Sequence, residues 1–499
     1  MKLKFVTTGN FWIDNGLVGL HDAIKERYPE AILTLKANGF EANLSIGQLE
    51  ELKEEAIKAL TTETKNEGWY YDKAKGIFER YRKRNWKRFS QFFLKQIGPS
   101  SKEEIDKRDS KFRSLSLQAQ AAGLKLYGEK KKYVPLAPLR FDLKISFAME
   151  PGNRVCDFCG QKRLKTVEEA SRTQFPFLVG KGKLATFYSH HGVSYKICPL
   201  CSLATLYGIS QALLYNIGGN IGTFFLPYDP DFRELRYFHR IYLDHLKTEV
   251  PPEQEQFRNF ITKVRTNYLN ETFLALIYDI YTYTVKAARE AERKRIFSKS
   301  FYGFRGLESG QKITYESLNE YSRLEATFGF FDKFDENIRK ISEGGWDFRG
   351  IFRDFQIRLQ SGGVDTLCRE KLAGRILHFD YLEDIVEDFL FSSGERIPFL
   401  DIFVETYIKE VEGMDEKIVK LTRGFGYAIG SKASESKTKS PLYDIRNSKN
   451  LDEFLRQLNQ IQFAFEIQVP ETLIREVSDE NWERYKSLVS IFAMNTFLG

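Results

Sequence analysis

Two cysteine pairs are the residues of this 499-residue chain whose type and spacing best suit chemistry. "CDFCG" supplies Cys156 and Cys159, "CPLC" supplies Cys198 and Cys201, and 38 residues separate the pairs. A CxxC turn sets two thiolates on one side of an ion, and two such turns complete a tetrahedral four-sulfur shell. A zinc ion held by four protein sulfurs keeps no open position for water, so the expected site is a structural staple. Two other readings stand beside it. A redox CxxC would need a thioredoxin-like setting, which the surrounding sequence lacks, and unligated core cysteines are the simplest alternative. His190 and His191, shortly before the second pair, could replace a ligand, but a polar loop accounts for them as well. Cys368 is expected to be an inert helix or core residue. Five cysteines, four of them in CxxC pairs, do not resemble a secreted disulfide framework.

Signatures of catalysis are missing from the sequence. There is no H-E-x-x-H and no G-x-S-x-G. An HNH nuclease also pairs CxxC motifs, but it needs a metal-binding histidine beside a catalytic one, and no such stretch occurs between or after the cysteines. His239 and His245 are six residues apart, which does not bring them to one helical face. The Gly-rich "IGGNIG", residues 217–222, lacks the Gly-Lys-Ser/Thr ending of a phosphate-binding loop. Asn220 within it is a candidate for reading a base edge. The chain is expected not to be an enzyme by itself, with no catalytic residue assigned.

Cations are the second candidate chemistry, on a chain of net charge +7. In "FERYRKRNWKRFSQFFLK", residues 78–95, Arg80, Lys83, Arg84, Lys87 and Arg88 are interleaved with Tyr81, Trp86, Phe89, Phe92 and Phe93. Read as a helix, the segment puts Arg80, Arg84, Lys87 and Arg88 on one face, where guanidinium forks suit phosphates. Lys130, Lys131 and Lys132 of "GEKKKY" are expected in a loop that could follow a phosphate backbone. Arg293, Lys294, Arg295, Lys299 and Arg305 stand beside Phe301, Tyr302 and Phe304, a mixture suited to single strands because stacking adds to charge. Lys420, Arg423, Lys432, Lys437 and Lys439 follow one another along an expected helix and a mobile basic loop, "GSKASESKTKSPLYD". A solvated charged surface is the alternative for each cluster.

The elements that must position these residues read as α+β, mostly helical. A short strand and a Gly/Asn turn lead to a helix from about Gly16, followed by a second strand, "AILTL". In the next helix Ser45 is the expected N-cap, with Leu49, Leu52, Ala56 and Leu60 at helical spacing. "SLATLYGISQALLYN" reads as a buried helix leading through the Gly-rich turn to a strand. The domain reading is an α+β nucleic-acid-binding region over 1–150, a CxxC–CxxC zinc-binding module over 151–205, a mainly helical body over 206–413 and a C-terminal helical bundle over 414–499. No apolar run approaches the roughly 20 residues of a membrane helix. No secretory signal is visible at the N-terminus, so the cytoplasm is the expected location.

The order of these features resembles one family, the large subunit of the type I CRISPR Cascade complex, in its CxxC–CxxC branch associated with types I-A and I-B. The matching segments are "TGNFWIDNGLVGL" (8–20), "CDFCG", "ICPLCSLATLYG" (197–208) and "FFLPYDPDFRELR" (224–236). The resemblance implies a non-catalytic subunit that contacts crRNA, recognises the protospacer-adjacent motif in double-stranded target DNA and aids R-loop formation. In such systems base pairing reads sequence, while protein reads shape and the short motif. Implied partners are the backbone, crRNA-end-binding and small subunits, the displaced single strand, and a separate helicase-nuclease that the assembly recruits. No membrane is implied. The C-terminal bundle would resemble the small subunit, and a separate small subunit could arise by internal initiation near Met414. Two readings outside the family remain: a divergent metal-dependent nuclease, and a generic zinc-stapled RNA-binding protein.

Overall fold

Residues 1–72, 77–86, 96–97, 102–104, 133–135, 140–141, 145–160, 164–165, 167–170, 175, 195–218, 221–240, 268–282, 289–309, 312–322, 324–342 and 346–499 are described by the structure, a computed structural model. Over these residues the fold is α+β and mostly helical. The chain divides into two compact units, Met1–Lys247 with Phe304–Leu318, and Thr248–Gly303 with Asn319–Gly499.

The first unit begins with β1 (Lys2–Val6), α1 (Phe11–Arg27), β2 (Leu33–Lys36) and β3 (Gly39–Asn43). The strands form an antiparallel sheet in the order β1-β3-β2, with Phe5 opposite Phe40 and Leu3 opposite Ala42. Leu3 and Phe5 alternate with exposed lysines, so one face of β1 is apolar and buried. Helix α1 starts at Phe11, earlier than the expected Gly16, because the Asn10 side chain accepts the N–H groups of Trp12 and Ile13. Ser45 caps α2 (Ile46–Leu60) as expected. Its Oγ accepts from the Gln48 N–H at 3.2 Å and Gln48 reaches back to the Ser45 N–H at 2.8 Å. Leu49, Leu52, Ala56 and Leu60 are buried along one side of that helix.

The first basic segment differs from expectation. Of the helix expected over 78–95, residues 78–86 lie instead in β5 (Ile77–Trp86), paired antiparallel with β4 (Thr61–Asp72), and 87–95 lie outside the described residues. The preceding "TTETKNEGWYYD" is rich in Thr, Trp and Tyr, which favour strands, and it supplies the partner that a reading of 78–95 alone did not consider. In this register Arg84 stands opposite Glu63, Arg82 opposite Glu67 and Arg80 opposite Trp69. Arg80 and Arg84 keep one strand parity and Lys83 takes the other, so the helical face that grouped Arg80 and Arg84 with Lys87 and Arg88 does not form.

Past the cysteines come α3 (Pro199–Gln211), β6 (Leu213–Gly218), β7 (Ile221–Tyr228) and α4 (Phe232–Phe238). β6 and β7 pair antiparallel, with Gly218 opposite Ile221, where a helix leading through a Gly-rich turn to a strand was expected; residues 219–220 lie outside the described residues. β8 (Ser300–Ser309) and β9 (Lys312–Tyr321) complete a four-stranded sheet in the order β6-β7-β8-β9.

The second unit carries α5 (Leu269–Ile280), α6 (Glu290–Phe297), α7 (Glu325–Arg339), α8 (Phe348–Asp354), α9 (Leu367–His378), α10 (Glu383–Ser393) and α11 (Leu400–Glu410). Much of its core is aromatic. The Phe330 ring lies edge-on to Phe348, Phe403 and Tyr407, with centroids 5.4 to 6.0 Å away. Then follow α12 (Glu416–Glu435), α13 (Ser440–Arg446), α14 (Leu451–Phe465), α15 (Glu471–Glu476) and α16 (Trp482–Phe497). The expected mobile loop is largely helical. α12 runs through Lys432 to Glu435, a short turn carries Lys437 at φ 53°, and α13 begins at Ser440. Gly426 and Gly430 make this possible: a β-carbon at Gly430 would lie 2.3 Å from the Ala493 carbonyl oxygen, so only glycine lets α12 approach α16 this closely. Close packing overrides the low helix propensity of that stretch. The helices after Met414 also bind α10, through Arg484 to Glu383 at 2.8 Å and Arg446 to Asp388 at 2.7 Å.

Candidate metal centre and the cation clusters

Cys156 and Cys159 sit on a turn that follows the short strand Pro151–Arg154. Gly160 closes the turn at φ 62°, a left-handed conformation suited to glycine, and its N–H bonds the Cys156 carbonyl at 3.0 Å. Cys198 is the N-cap of α3 and Cys201 lies in its first turn; the Cys198 sulfur accepts the Cys201 N–H at 3.5 Å. The long spacer returns through the antiparallel pair Glu168–Glu169 and Lys196–Ile197. Asp157 joins the two knuckles in both directions, its N–H to the Lys196 carbonyl at 2.9 Å and its carboxylate to the Lys196 N–H at 2.5 Å.

These connections bring all four sulfurs within 4.8 Å of one another, with Cys159 and Cys198 sulfurs 3.8 Å apart and no disulfide. The Cys198 N–H also points at the Cys156 sulfur, at 3.3 Å. Hydrogen bonds from the Cys159, Cys198 and Cys201 thiols hold the Cys156 thiol far below its ordinary range. The same interactions with Cys156 and Cys159, with burial added, push Cys198 and Cys201 well above theirs. Four thiolates this close repel one another, and a shared cation removes that repulsion. The cluster can therefore hold a metal ion, with every ligand a cysteine. Cys156, Cys198 and Cys201 are buried and Cys159 is half-buried. A small apolar cavity lined by Phe5, Leu17, Met149 and Leu164 adjoins three of the sulfurs. His190 and His191 lie outside the described residues. Cys368 opens α9 as a half-buried thiol that burial pushes up to about 12, an inert state.

The cysteine-bearing helix is itself held against the opening motif. A β-carbon at Gly16 of α1 would lie 1.9 Å from the Ala204 carbonyl oxygen of α3, and one at Gly208 would lie 2.9 Å from the Trp12 carbonyl oxygen. The two helices thus meet backbone to backbone. Buried polar residues of the motif fix the flanks. Asp14 accepts the Thr8 N–H at 2.7 Å, the Thr8 hydroxyl at 2.9 Å and the Gly9 N–H at 3.1 Å, and burial raises its carboxyl to about 6. The Asn15 amide donates to the Pro227 carbonyl at 2.7 Å, while its oxygen meets the His239 ring at 2.5 Å. Arg236 pairs with Asp22 at 2.7 Å and donates to His21 at 3.0 Å. Asp14, Asn15 and Arg236 were not singled out from the sequence, and His239 was weighed there only as a partner of His245. The available signal was the pair Asp14-Asn15 inside the apolar run Trp12 to Leu17, because a polar residue on a buried helix face needs a partner.

The cation clusters fare unequally. Lys87, Arg88, Lys130, Lys131, Lys132 and Asn220 lie outside the described residues, and Arg80, Lys83 and Arg84 are described by strand register alone. Arg293 pairs with Asp332 at 2.9 Å and Lys294 with Glu290 at 3.1 Å. Lys299 is buried, and Arg295 and Arg305 are half-buried. Arg305 belongs to the first unit, while Arg293, Lys294, Arg295 and Lys299 belong to the second. Phe301 and Phe304, expected as stacking rings, are buried in the core; Phe273 lies 5.6 Å from Phe301 and Phe224 lies 5.1 Å from Phe304. Lys420 pairs with Glu416 at 2.6 Å, Arg423 with Glu405, and Lys432 with Glu435 at 2.7 Å. Lys437 and Lys439 stand exposed at the α12–α13 turn, Lys439 over the Phe497 ring at 5.3 Å.

Among the described residues no helix is long and apolar enough to cross a membrane. No protein-family model matches the chain, and no curated protein matches it by sequence.

Proposed function

We propose that this chain is the non-catalytic large subunit of an RNA-guided type I CRISPR surveillance complex, acting in the cytoplasm. The observation that carries the reading is the union of its two signature segments. "TGNFWIDNGLVGL" and "ICPLCSLATLYG" lie far apart in sequence yet form one crossing, α1 on α3, at Gly16, Ala204 and Gly208. The segment "FFLPYDPDFRELR" joins them through Pro227 bonded to Asn15 and Arg236 bonded to Asp22. Segments that identify a family only in combination thus share one structural task.

In this reading the cysteines hold a structural zinc ion. A tetrahedron with Zn–S bonds of about 2.3 Å has an edge of about 3.8 Å, which suits the observed sulfur spacing. The ion would fix the start of α3 against the turn at Cys156 and leave no site for water. Exposed Lys437 and Lys439, with Arg80, Lys83 and Arg84 on the β4–β5 ribbon, are the cations we assign to nucleic acid. Arg293, Lys294, Lys420, Arg423 and Lys432 would first have to give up their carboxylate partners. The subunit would bind crRNA and target DNA, recognise the protospacer-adjacent motif, aid R-loop formation and recruit the helicase-nuclease.

The test is reconstitution of the chain with crRNA and the backbone subunits. Duplex DNA carrying one particular short motif beside the target should bind, and duplexes with that motif altered should not. Equal affinity for all flanking sequences would overturn the reading. Cleavage of DNA by the purified chain with magnesium or manganese alone would replace it with the nuclease reading.

A further inference from the structure

The packing of α16 on α10 in the second unit buries carboxylates. Three carboxylates meet there: Glu383 and Glu387 from α10, and Glu412 from the turn after α11. All three are nearly inaccessible, with Glu383 at 4% and Glu412 at 2% side-chain exposure and Glu387 itself at 6%. Among the described residues one cation bonds to them. Arg484 of α16 bonds Glu383 at 2.8 Å and also pairs with Glu412. Glu387 accepts the Ser487 hydroxyl at 3.0 Å, and among the described residues it forms no ion pair. Each carboxylate keeps one buried oxygen without a hydrogen-bond partner: Glu383 Oε2, Glu387 Oε1 and Glu412 Oε1.

We propose that this interface is a pH-sensitive clasp, in which Glu387 takes up a proton as α16 closes on α10. The inference is independent of the reading of the chain as a CRISPR subunit. A buried carboxylate is stable in its ionised form only when cations or several donors replace its water. Glu383 and Glu412 share such a cation, and Glu387 does not.

The charged groups around Glu387 divide as follows. On α10 itself, Glu383, Asp384 and Asp388 add negative charge. From α16 come Arg484, committed to Glu383 and Glu412, and Lys486, which lies over the Trp482 ring at 5.4 Å. From α13 comes Arg446, bonded to Asp388 at 2.7 Å. From α9 comes Arg375, bonded to Asp384 at 3.1 Å. Lys486 and Arg446 attract the Glu387 charge from a distance, but burial outweighs them and raises its carboxyl above the ordinary range. Closing the clasp therefore favours the neutral acid. Opening returns the carboxyl to water, where it ionises. The sign follows: the folded-state carboxyl is raised, so clasp stability is full below its ordinary value and is lost as pH rises through the raised one.

Amide hydrogen exchange on the full chain tests this, with α10 and α16 followed from about pH 5 to about pH 9 after correction for intrinsic exchange. Opening of α16 should increase with pH by up to about tenfold per unit between the ordinary glutamate value and the raised Glu387 transition, and level off above it. Glu387→Gln, which keeps the shape and removes the charge, should abolish that dependence and leave α16 more protected at alkaline pH. A Gln variant with the wild-type dependence, or a wild-type α16 indifferent to pH, would overturn the proposal. Ser487→Ala provides a second arm, because it removes a hydroxyl that donates to the carboxylate at 3.0 Å. The rise in opening should then continue to higher pH before levelling off, and an unmoved plateau would count against the clasp.

Discussion

In the first unit α1 crosses α3 with Gly16 against the Ala204 carbonyl, and in the second α12 crosses α16 with Gly430 against the Ala493 carbonyl. Both pairs use glycine to bring backbones together, and both remain helical despite the propensity cost of about 1 kcal/mol per glycine. They differ in what secures the crossing. The start of α3 is tied to a four-sulfur cluster and a two-way hydrogen bond at Asp157. α16 is tied to α10 by one guanidinium among three buried carboxylates. A cluster that shares one ion is all-or-none, because losing a ligand leaves the remaining thiolates repelling each other. The carboxylate seam has no shared ion, because Arg484 holds Glu383 and Glu412 while Glu387 has no such cation. Close backbone approach is thus accompanied by a four-sulfur cluster in one unit and by a carboxylate seam in the other.

The comparison can be broken most severely at the cysteines. Replacing Cys156 and Cys159 with serine should abolish metal binding and the fold of the first unit, since metal in such sites contributes on the order of 10 kcal/mol or more. Metal content and the thermal transition of the first unit are the readouts; stable, fully folded, metal-free protein would contradict the staple. Arg484→Met comes next. It leaves Glu383 and Glu412 buried without a cation, and the second unit should lose about 3–5 kcal/mol in denaturant melts. Glu383→Gln in the same chain should recover part of the loss.

Glycine replacement sharpens the geometric half of the comparison. Gly16→Ala and Gly430→Ala should each cost about 3 kcal/mol, because the new methyl meets a carbonyl oxygen that cannot move without its helix. Unchanged melting of either variant would show that its crossing is looser than described. The smallest effect is expected at Asp14. Its folded carboxyl is raised to about 6 from an ordinary 3.8, so the stability it lends is complete below about pH 4 and lost as pH rises through 6. That is roughly 2–3 kcal/mol across the window, carried by the first unit. Asp14→Asn should flatten this dependence, and a variant that still loses stability between pH 4 and 6 would place the titration elsewhere.

The cysteine cluster was legible because CxxC spacing is local and its chemistry needs only that the two turns meet. The Ser45 cap and the buried face of α2 were legible for the same reason: a cap and a 3.6-residue period act within a few turns of chain. The basic segment misled because its arginines lie at spacings that suit a helix face as well as a strand. The partner at Thr61–Asp72 decided between them. The loop expected after Gly430 misled in the opposite sense, since its small polar residues signal mobility only where nothing packs on them.

By itself, then, the sequence determined the fold class, the four sulfurs and the segments that carry the family resemblance, because each rests on residues close together or on composition. The tertiary structure alone decided that Phe301 and Phe304 are core, that Arg293, Lys294, Lys420, Arg423 and Lys432 already hold carboxylates, and that Glu387 faces a hydroxyl where Glu383 faces a guanidinium. Those outcomes depend on which distant side chain arrives opposite. Burial makes that choice decisive: in water an unmatched charge costs little, and inside a helix seam it sets the protonation state.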